Sequence, residues 1–585
     1  MKNNKCKDPH GHINELYKRL GNKGLTSLLL LFNRIKQEII IPEALRLSNV
    51  STIYKGKGAK NEVINLRGIF KLPIVRNILD KLIHQEDKKL INSSMGQFQV
   101  GNQTGRSIRD HTFVIHAIVN EAQINKIDID IQFTDIKQCF DSIWLEEAIN
   151  DLFDSGVQSR NLNLLYESNS STQMCVETNA GQSDRVELKR IVMQGSVNGG
   201  TLCSNQISKL CHKSYNEGNV YLYRNKIPVP ALAMVDDITS VAMCNSVAAI
   251  KNNVQIDEFI KAKKMEGQVG EGKCQWVHIG KGECHSSYVA NGVNTTQCSK
   301  YKYLGDHVSK QWDNLYQKRY ERAQAYSISC QAMCTEMSLG FQMYDIAKLL
   351  HQAMFLNGSL VNMETWPHFT IDRVMKFERA EQGLFRKILS AHSKTPIESL
   401  YLELGIIPFR YRLMERRILY AHLVFNRDDD EITKKIMMVQ KEEQLPGDFY
   451  TQLYNDLLTL GITEGEVSSS DKYNLETKTK NRTKEHAYNY LIGLAKGHSK
   501  INEKMYEDMN GMPHLNDPRF TPDLINLLFK FRTRMFNVRN NFRNKYKETN
   551  ILCPLCKGEE DSQKHIFHCP SIQEHLQINQ QQYPY

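Results

Sequence analysis

Read as a string of apolar and polar positions, the chain changes rhythm several times. Up to about residue 130, helix-like and strand-like pieces alternate, broken by a loop rich in glycine and lysine, "YKGKGAKNE" at 54–62. The most apolar run, "LTSLLLLFNRI" at 25–35, is too short to span a bilayer and reads as a buried helix. Between 127 and 310, short strand candidates recur: "IDIDIQFTDI", "QMCVETN", "ALAMVDD" and "QWVHIG". Helical stretches separate them, which predicts an α/β or α+β arrangement. From about 311 to 440 the pattern is helical. A polar tract, "GITEGEVSSSDKYNLETKTKNRTKE" at 461–485, offers little to pack and reads as a linker or mobile loop. The last hundred residues hold a basic helix and a cysteine cluster, and no internal repeat is visible.

At 585 residues the chain is long enough for roughly two to four domains. A formal net charge of +10 suits a polyanionic partner. Fourteen cysteines, mostly without regular spacing, point to a reducing compartment rather than a disulfide framework. The N-terminal "MKNNKCKDPHGHINELYKRLG" lacks the apolar core of a signal peptide. An intracellular protein, in the cytoplasm and/or nucleus and without a membrane partner, is expected.

Two adjacent aspartates, Asp236 and Asp237, interrupt the strand-like "ALAMVDDITSVAM" (231–243). Adjacent carboxylates repel, and aspartate is a poor strand former. A hairpin tip alone would account for them, and so would a metal site. A second strand candidate, in "IDIDIQFTDIKQCFDSIW" (127–144), ends at Phe133 and places Asp135 where the chain turns. Carboxylates on neighbouring strands are what two-metal phosphoryl transfer requires, because Mg²⁺ takes hard oxygen ligands and leaves room for phosphate.

The spacing F-x-D-x-x-x-x-F-D from Phe133 to Asp141, followed about a hundred residues later by V-D-D, resembles motifs A and C of reverse transcriptases. "MQGSVNGGTLCSN" (193–205) resembles motif B, "GKCQWVHIG" (272–280) motif D and "YLG" (303–305) motif E. Upstream, "INLRGIF" (64–70), "QFQVGNQTGRS" (97–107) and "IPEALRLSNVSTIYKGKG" (41–58) resemble finger segments of non-LTR (LINE-like) retrotransposon enzymes. The resemblance implies an α+β, right-hand polymerase of fingers, palm and thumb, with a helical C-terminal region and a small zinc-binding module. The boundaries it implies are 1–126 for fingers, 127–310 for palm with residual finger elements, and 311–440 for a helical thumb. A linker or helical connector (441–522) and a basic helix with zinc finger (523–585) would follow.

By the same resemblance, Asp135, Asp236 and Asp237, with the Ile136 carbonyl, would hold two Mg²⁺ ions, or Mn²⁺ in substitution. Lys55 and Arg67 match positions that neutralise triphosphate charge, although a solvated surface role is open to each of them and equally to Lys273. Gln194 and Gly195 match the pair lying against nucleotide and template, and Lys273 the lysine proposed to protonate pyrophosphate. Phe140 lies five positions after Asp135, where an aromatic clashes with a ribose 2′-OH, so dNTPs are the implied substrates. The chain departs from the pattern at Met234, Met193, Arg67-Gly68 and Gly199-Gly200. The glycine pair is expected to loosen the template-facing loop.

"CPLCKGEEDSQKHIFHC" (553–569) spaces Cys553, Cys556, His565 and Cys569 as a tetrahedral, structural Zn²⁺ site, with His568 as an alternative ligand. Before it, residues 524–547 carry seven Lys/Arg and no acid, interleaved with Phe529, Phe531, Phe536, Phe542 and Tyr546. These aromatics either stack on bases or pack on the core. The implied function is an RNA-directed DNA polymerase that copies an RNA template from a DNA primer or target. Its endonuclease would come from a missing segment or in trans. The other reading is an inactive or domesticated nucleic-acid-binding remnant.

Overall fold

The computed structural model describes residues 3–575 apart from 57, 171, 179–180, 189–191, 219, 337–342, 499–500, 502 and 543–550. The chain forms two compact units: Met1–Gln311 with Asp429–Ile436, and Trp312–Asp428 with Met437–Tyr585.

The first unit is built on β-structure, its strands numbered here in chain order. One sheet has the order β2-β1-β4-β5 and consists of β1 (Leu47–Tyr54), β2 (Leu66–Lys71), β4 (Thr172–Thr178) and β5 (Gly181–Gln182). The short β6 (Val186–Leu188) also pairs with β4. The "YKGKGAKNE" loop is the tip of the β1–β2 hairpin, where the Lys55 amide donates to the Asn65 carbonyl at 2.9 Å.

A second, central sheet has the order β14-β11-β3-β10-β9. Its strands are β3 (Ile129–Asp135), β9 (Leu232–Met234), β10 (Asp237–Met243), β11 (Gln275–Ile279) and β14 (Thr296–Gln297). Three small hairpins complete the described strands: β7 (Tyr221–Tyr223) with β8 (Ile227–Val229), β12 (Val289–Ala290) with β13 (Val293–Asn294), and β15 (Lys300–Tyr303) with β16 (Asp306–Ser309).

β3 lies at the middle of the central sheet, antiparallel to both neighbours. Ile131 faces Val241 of β10 and Val277 of β11, and all three are buried. Strand side chains alternate between faces. Phe133 and Asp135 therefore share one face with Ile129 and Ile131, and Asp130 and Gln132 share the other. The helix Val247–Ala262 covers the Asp130 face, where its Ala249 clusters with Ala242, Trp276 and Tyr288. The leucine-rich run at 25–35 lies in the helix Asn22–Glu38, but it is not buried as its composition suggested. Only Phe32 and Ile35 of this helix are buried, whereas Leu25, Leu29 and Leu30 are exposed.

The second unit is helical in its described residues. Its core includes a buried polar knot: Glu381 accepts from the Tyr401 hydroxyl at 2.8 Å and lies 2.8 Å from His351 Nε2. The tract 461–485 is helical, which corrects its reading as a linker. The helix Glu464–Ser469 begins at a capping box between Thr463 and Glu466, and the helix Lys472–Lys496 begins at Asp471, whose carboxylate accepts from the Tyr473 and Asn474 amides. Leu475, Thr479, Thr483, Ala487, Leu491 and Ala495 form a buried stripe at a spacing of four along the longer helix. Threonines carry two of the three stripe positions within the polar tract, so composition concealed it. The basic segment is also shorter than expected as a helix: Pro522–Arg532 ends at Thr533, and Arg534 adopts a positive φ of 50°. No helix among the described residues is long and apolar enough to cross a membrane.

Leu475→Ala is expected to destabilise the second unit by about 2–5 kcal/mol, as for other buried leucines. Urea unfolding of the purified chain would measure this; a linker residue would leave the transition unmoved.

Candidate active site

The register of the central sheet assembles the site. Asp237 of β10 pairs with Asp135 of β3. On the other side the β11–β3 pairing ends at Gln275 and Phe133, the Asp135 carbonyl accepts instead from the Gln268 amide at 2.9 Å, and Lys273 lies in the bend just before β11. Directly opposed residues point to the same face, so Asp237 and Asp135 stand side by side, and Lys273 joins their row through its side chain. Lys273 Nζ lies 2.7 Å from Asp135 Oδ2. Asp236 occupies the two-residue turn closed by the Met234–Asp237 pair, preceded by Val235 at φ +60°.

The carboxyls of this turn are held above their ordinary range. Burial is the largest cause at both, even though the Asp237 side chain reaches solvent. Asp237 is pushed up to about 6, with Asp236 and Asp135 adding repulsion and Lys273 opposing it. Asp236 is raised in the same direction, against the pull of Arg67 and Lys273. Three crowded hard-oxygen donors served by few cations are a donor set that fits a divalent ion such as Mg²⁺. Ile136 adds to it. Its antiparallel bridge to Gly267 uses the Asp135 carbonyl and the Lys137 amide for hydrogen bonds, which turns its own carbonyl toward the β10 side.

Sequence reading missed the residue that holds the turn. Gln99 is fully buried, and its amide is used at both ends. Oε1 accepts from the Val235 amide at 2.8 Å and the Gly101 amide at 2.9 Å, while Nε2 donates to the Val235 carbonyl at 3.1 Å and the Ser204 carbonyl at 3.4 Å. A left-handed conformation is costly for a β-branched residue such as Val235, and this clamp fixes it. The segment 97–107 was legible as a motif, but nothing in it points to a partner 136 residues away.

The other expected residues lie on the elements around this row. Arg67 stands in β2 opposite Ile53, and its charge reaches Asp236. Lys55 follows β1, and its charge opposes the burial that raises Asp141. Gln194 and Gly195 abut the same β2 strand: the Gln194 carbonyl accepts from the Phe70 amide at 3.0 Å. At Gly195 φ is +105°, and an added Cβ would lie 3.0 Å from the Phe70 carbonyl oxygen. Phe140 is half-buried in the short helix Cys139–Ser142, beside the fully packed Cys139. Tyr301 of β15 stacks on Phe133 with ring centroids 4.1 Å apart, and its hydroxyl donates to the Lys273 carbonyl at 2.9 Å.

Gly199 and Gly200 do not loosen a loop. They are the first residues of the helix Gly199–Asn216, where added Cβ atoms would lie 2.4 Å from the Met193 carbonyl oxygen and 2.7 Å from Asn102. Close packing requires them.

In the second unit, Cys553, Cys556, His565 and Cys569 place their donor atoms within 4.8 Å of one another. The Cys553 and Cys569 sulfurs are 3.9 Å apart, and Cys556 Sγ is 3.2 Å from His565 Nε2. A tetrahedral zinc with Zn–S of about 2.3 Å sets sulfurs about 3.8 Å apart, so the residues fit the ion. The Cys556 thiol is lowered to about 6, first by the Gly558 amide. Glu559 Oε2 lies 3.1 Å from His565 Nδ1 and orients the ring as second-layer carboxylates do around zinc. His568, the alternative ligand, is exposed and outside the cluster. Phe529 is buried, and Phe531 packs edge-on against Phe536 and Phe567. These rings serve packing; Tyr546 and the Phe542 side chain lie outside the described residues.

Residues 59–308 match the family described as reverse transcriptase (RNA-dependent DNA polymerase). Among solved structures, apo telomerase from Candida tropicalis aligns over 80% of this chain and 74% of its own, at 12% identity and a TM-score of 0.39. A form truncated from the C-terminal domain aligns over 49% of this chain, at 13% identity and a TM-score of 0.33, and the present chain spans 59% of its length. Candida albicans telomerase, in complex with a fragment of telomeric RNA, gives 13% identity, 68% and 65% coverage and a TM-score of 0.32. The segment that matches the reverse transcriptase family is the one that supplies Asp135, Asp236, Asp237, Lys273, Gln194 and Gly195.

Proposed function

We propose that the chain is an RNA-directed DNA polymerase of the non-LTR retrotransposon type, which extends a DNA primer along an RNA template with dNTPs. The observation that carries this reading is the row Asp237–Asp135–Lys273 with Asp236 in the adjoining turn. In this reading residues 1–126 are fingers, 127–310 palm and 311–440 thumb.

Asp135, Asp236, Asp237 and the Ile136 carbonyl would hold Mg²⁺. The chemistry supplied by the bound ions is activation of the primer 3′-hydroxyl and neutralisation of charge on the departing pyrophosphate. The protein contributes positioning and fixed charge. Arg67 and Lys55 face the triphosphate, and Gln194-Gly195 seat the nucleotide against β2. Phe140 occupies the space a ribose 2′-hydroxyl would need. Lys273 is bound to Asp135 in the resting protein and is freed to act on pyrophosphate once the carboxylates have other cations. Cys553, Cys556, His565 and Cys569 would hold a structural zinc, which completes a small basic module for RNA template or target DNA.

The test is primer extension on an RNA template with dNTPs and Mg²⁺. Wild type should extend the primer, and Asp236→Ala should lower the rate by about 10³-fold or more. RNA binding without extension, in Mg²⁺ and Mn²⁺ alike, would overturn the proposal.

Phe140→Ala should raise ribonucleotide incorporation relative to dNTPs by about tenfold or more, since removal of the ring removes the clash. Competition between labelled rNTP and dNTP reads this ratio.

Gln99→Leu leaves the Val235 backbone groups unpaired, each at about 1–3 kcal/mol. It should lower kcat strongly with little change in RNA affinity; an unchanged kcat would show that the turn holds its shape without the clamp.

A further inference from the structure

On the face of the central sheet opposite the aspartate row lies a second cluster of metal-ligating side chains. Asp130, Cys244, His278 and Cys284 place one donor atom each within 4.8 Å of one another. Asp130 and His278 are directly opposed on β3 and β11. Cys244 directly follows β10, and Cys284 comes from the loop after β11. Asp130 is five residues from Asp135, about 17 Å along the strand and on the other face, so the cluster shares no residue with the aspartate site.

Asp130 is fully buried. Its Oδ2 accepts from the Tyr288 hydroxyl at 2.6 Å, and its Oδ1 lies 2.9 Å from His278 Nδ1. Cys284 Sγ stands 3.6 Å from both carboxylate oxygens. Tetrahedral zinc, with bonds of about 2.0 Å to O or N and about 2.3 Å to S, sets ligand atoms about 3.5 Å apart for O and S and about 3.3 Å for O and N. The sulfur separation matches, and the Asp130–His278 separation needs only a few tenths of an ångström.

The surroundings are also arranged as an outer layer. The second ring nitrogen of His278, Nε2, is buried without a hydrogen-bond partner and points to Asp128, 3.6 Å away. Asp128 is held by the Gly282 amide at 2.8 Å. Gly280, at φ +149°, lets the loop approach so closely that an added Cβ would lie 1.8 Å from Asp128 Oδ1. A carboxylate behind a ligating histidine is the usual support of a zinc site. A His278–Asp130 ion pair alone would explain the buried charge, but not two cysteines brought to the same point.

We propose that Asp130, Cys244, His278 and Cys284 form a structural zinc site that ties together β3, the end of β10, β11 and the following loop. Four protein ligands leave no open position, so the site is structural rather than catalytic.

The test is zinc content of the purified full chain by plasma mass spectrometry, with native cysteine alkylation read by peptide mass spectrometry. A Cys556→Ser/Cys569→Ser variant, which disables the C-terminal cluster, should retain one zinc per chain, and Cys244→Ser/Cys284→Ser should lose that equivalent. In wild type, Cys244 and Cys284 should resist alkylation until a chelator is added. Absence of zinc from the C-terminal variant, together with chelator-independent alkylation of Cys244 and Cys284 in wild type, would overturn the site. So would a Cys244–Cys284 disulfide in protein prepared anaerobically. Because alkylation is read on wild type, misfolding of a variant leaves the test decisive.

Discussion

β3 is hydrogen-bonded along both edges, and its side chains repeat with a period of two. A slip of one residue against β10 or β11 would exchange the two faces of β3, taking Asp135 away from Asp237 and Asp130 away from His278. The buried partners Ile129, Ile131 and Phe133 hold the register, because a slip would bring Asp130 and Gln132 among them instead. The pairing of β10 with β3 sets Asp237 opposite Asp135, and the pairing of β3 with β11 ends just where the chain before β11 can bring the Lys273 side chain to Asp135.

The row gathers charge that the backbone alone would not keep in place. Three carboxyls at one sheet end repel one another, and burial adds to the rise at Asp236 and Asp237. Val235 contributes strain through its positive φ. Lys273 and Arg67 offset part of the charge, and a neutral group holds the turn itself. Gln99 satisfies the turn's backbone at both ends without adding charge, so it leaves the carboxyls short of positive charge. Lys273 supplies a single, partly exposed ammonium, which solvent screens and an incoming cation can replace.

What the sequence discloses follows the same physics. The resemblance to motifs A, C and D singled out Asp135, Asp236, Asp237 and Lys273, and the structure brings them together at one end of the central sheet. Gln99 was not singled out, since an amide that pairs with backbone can be satisfied by any strand it meets. The helix 472–496 was hidden by Thr479 and Thr483, whose methyl groups line a buried stripe while their hydroxyls count as polar. The run at 25–35 misled in the opposite direction, because leucine content records an apolar face and not what covers it. Gly199 and Gly200 suggested freedom, whereas the helix start they form has no room for a side chain.

The two faces of the central sheet are mechanically linked through the three strands they share. The aspartate row needs β10, β3 and β11 aligned to within a fraction of the strand repeat, at the end of the sheet where pairing stops and ends fray. The cluster Asp130, Cys244, His278 and Cys284 joins the same three strands on the opposite face, toward their other ends. An apolar residue at 130 would fill that face more cheaply than a fully buried carboxylate, which is costly without paired, hydrogen-bonded partners. Hydrophobic packing, however, resists a slip of one residue but tolerates one of two, which returns each apolar side chain to its own face. Ligands to a single ion do not, because moving β3 by two residues would carry Asp130 out of reach of His278. Placing the polar cluster there exchanges packing energy for a fixed register, and that register is the quantity on which the opposite face depends.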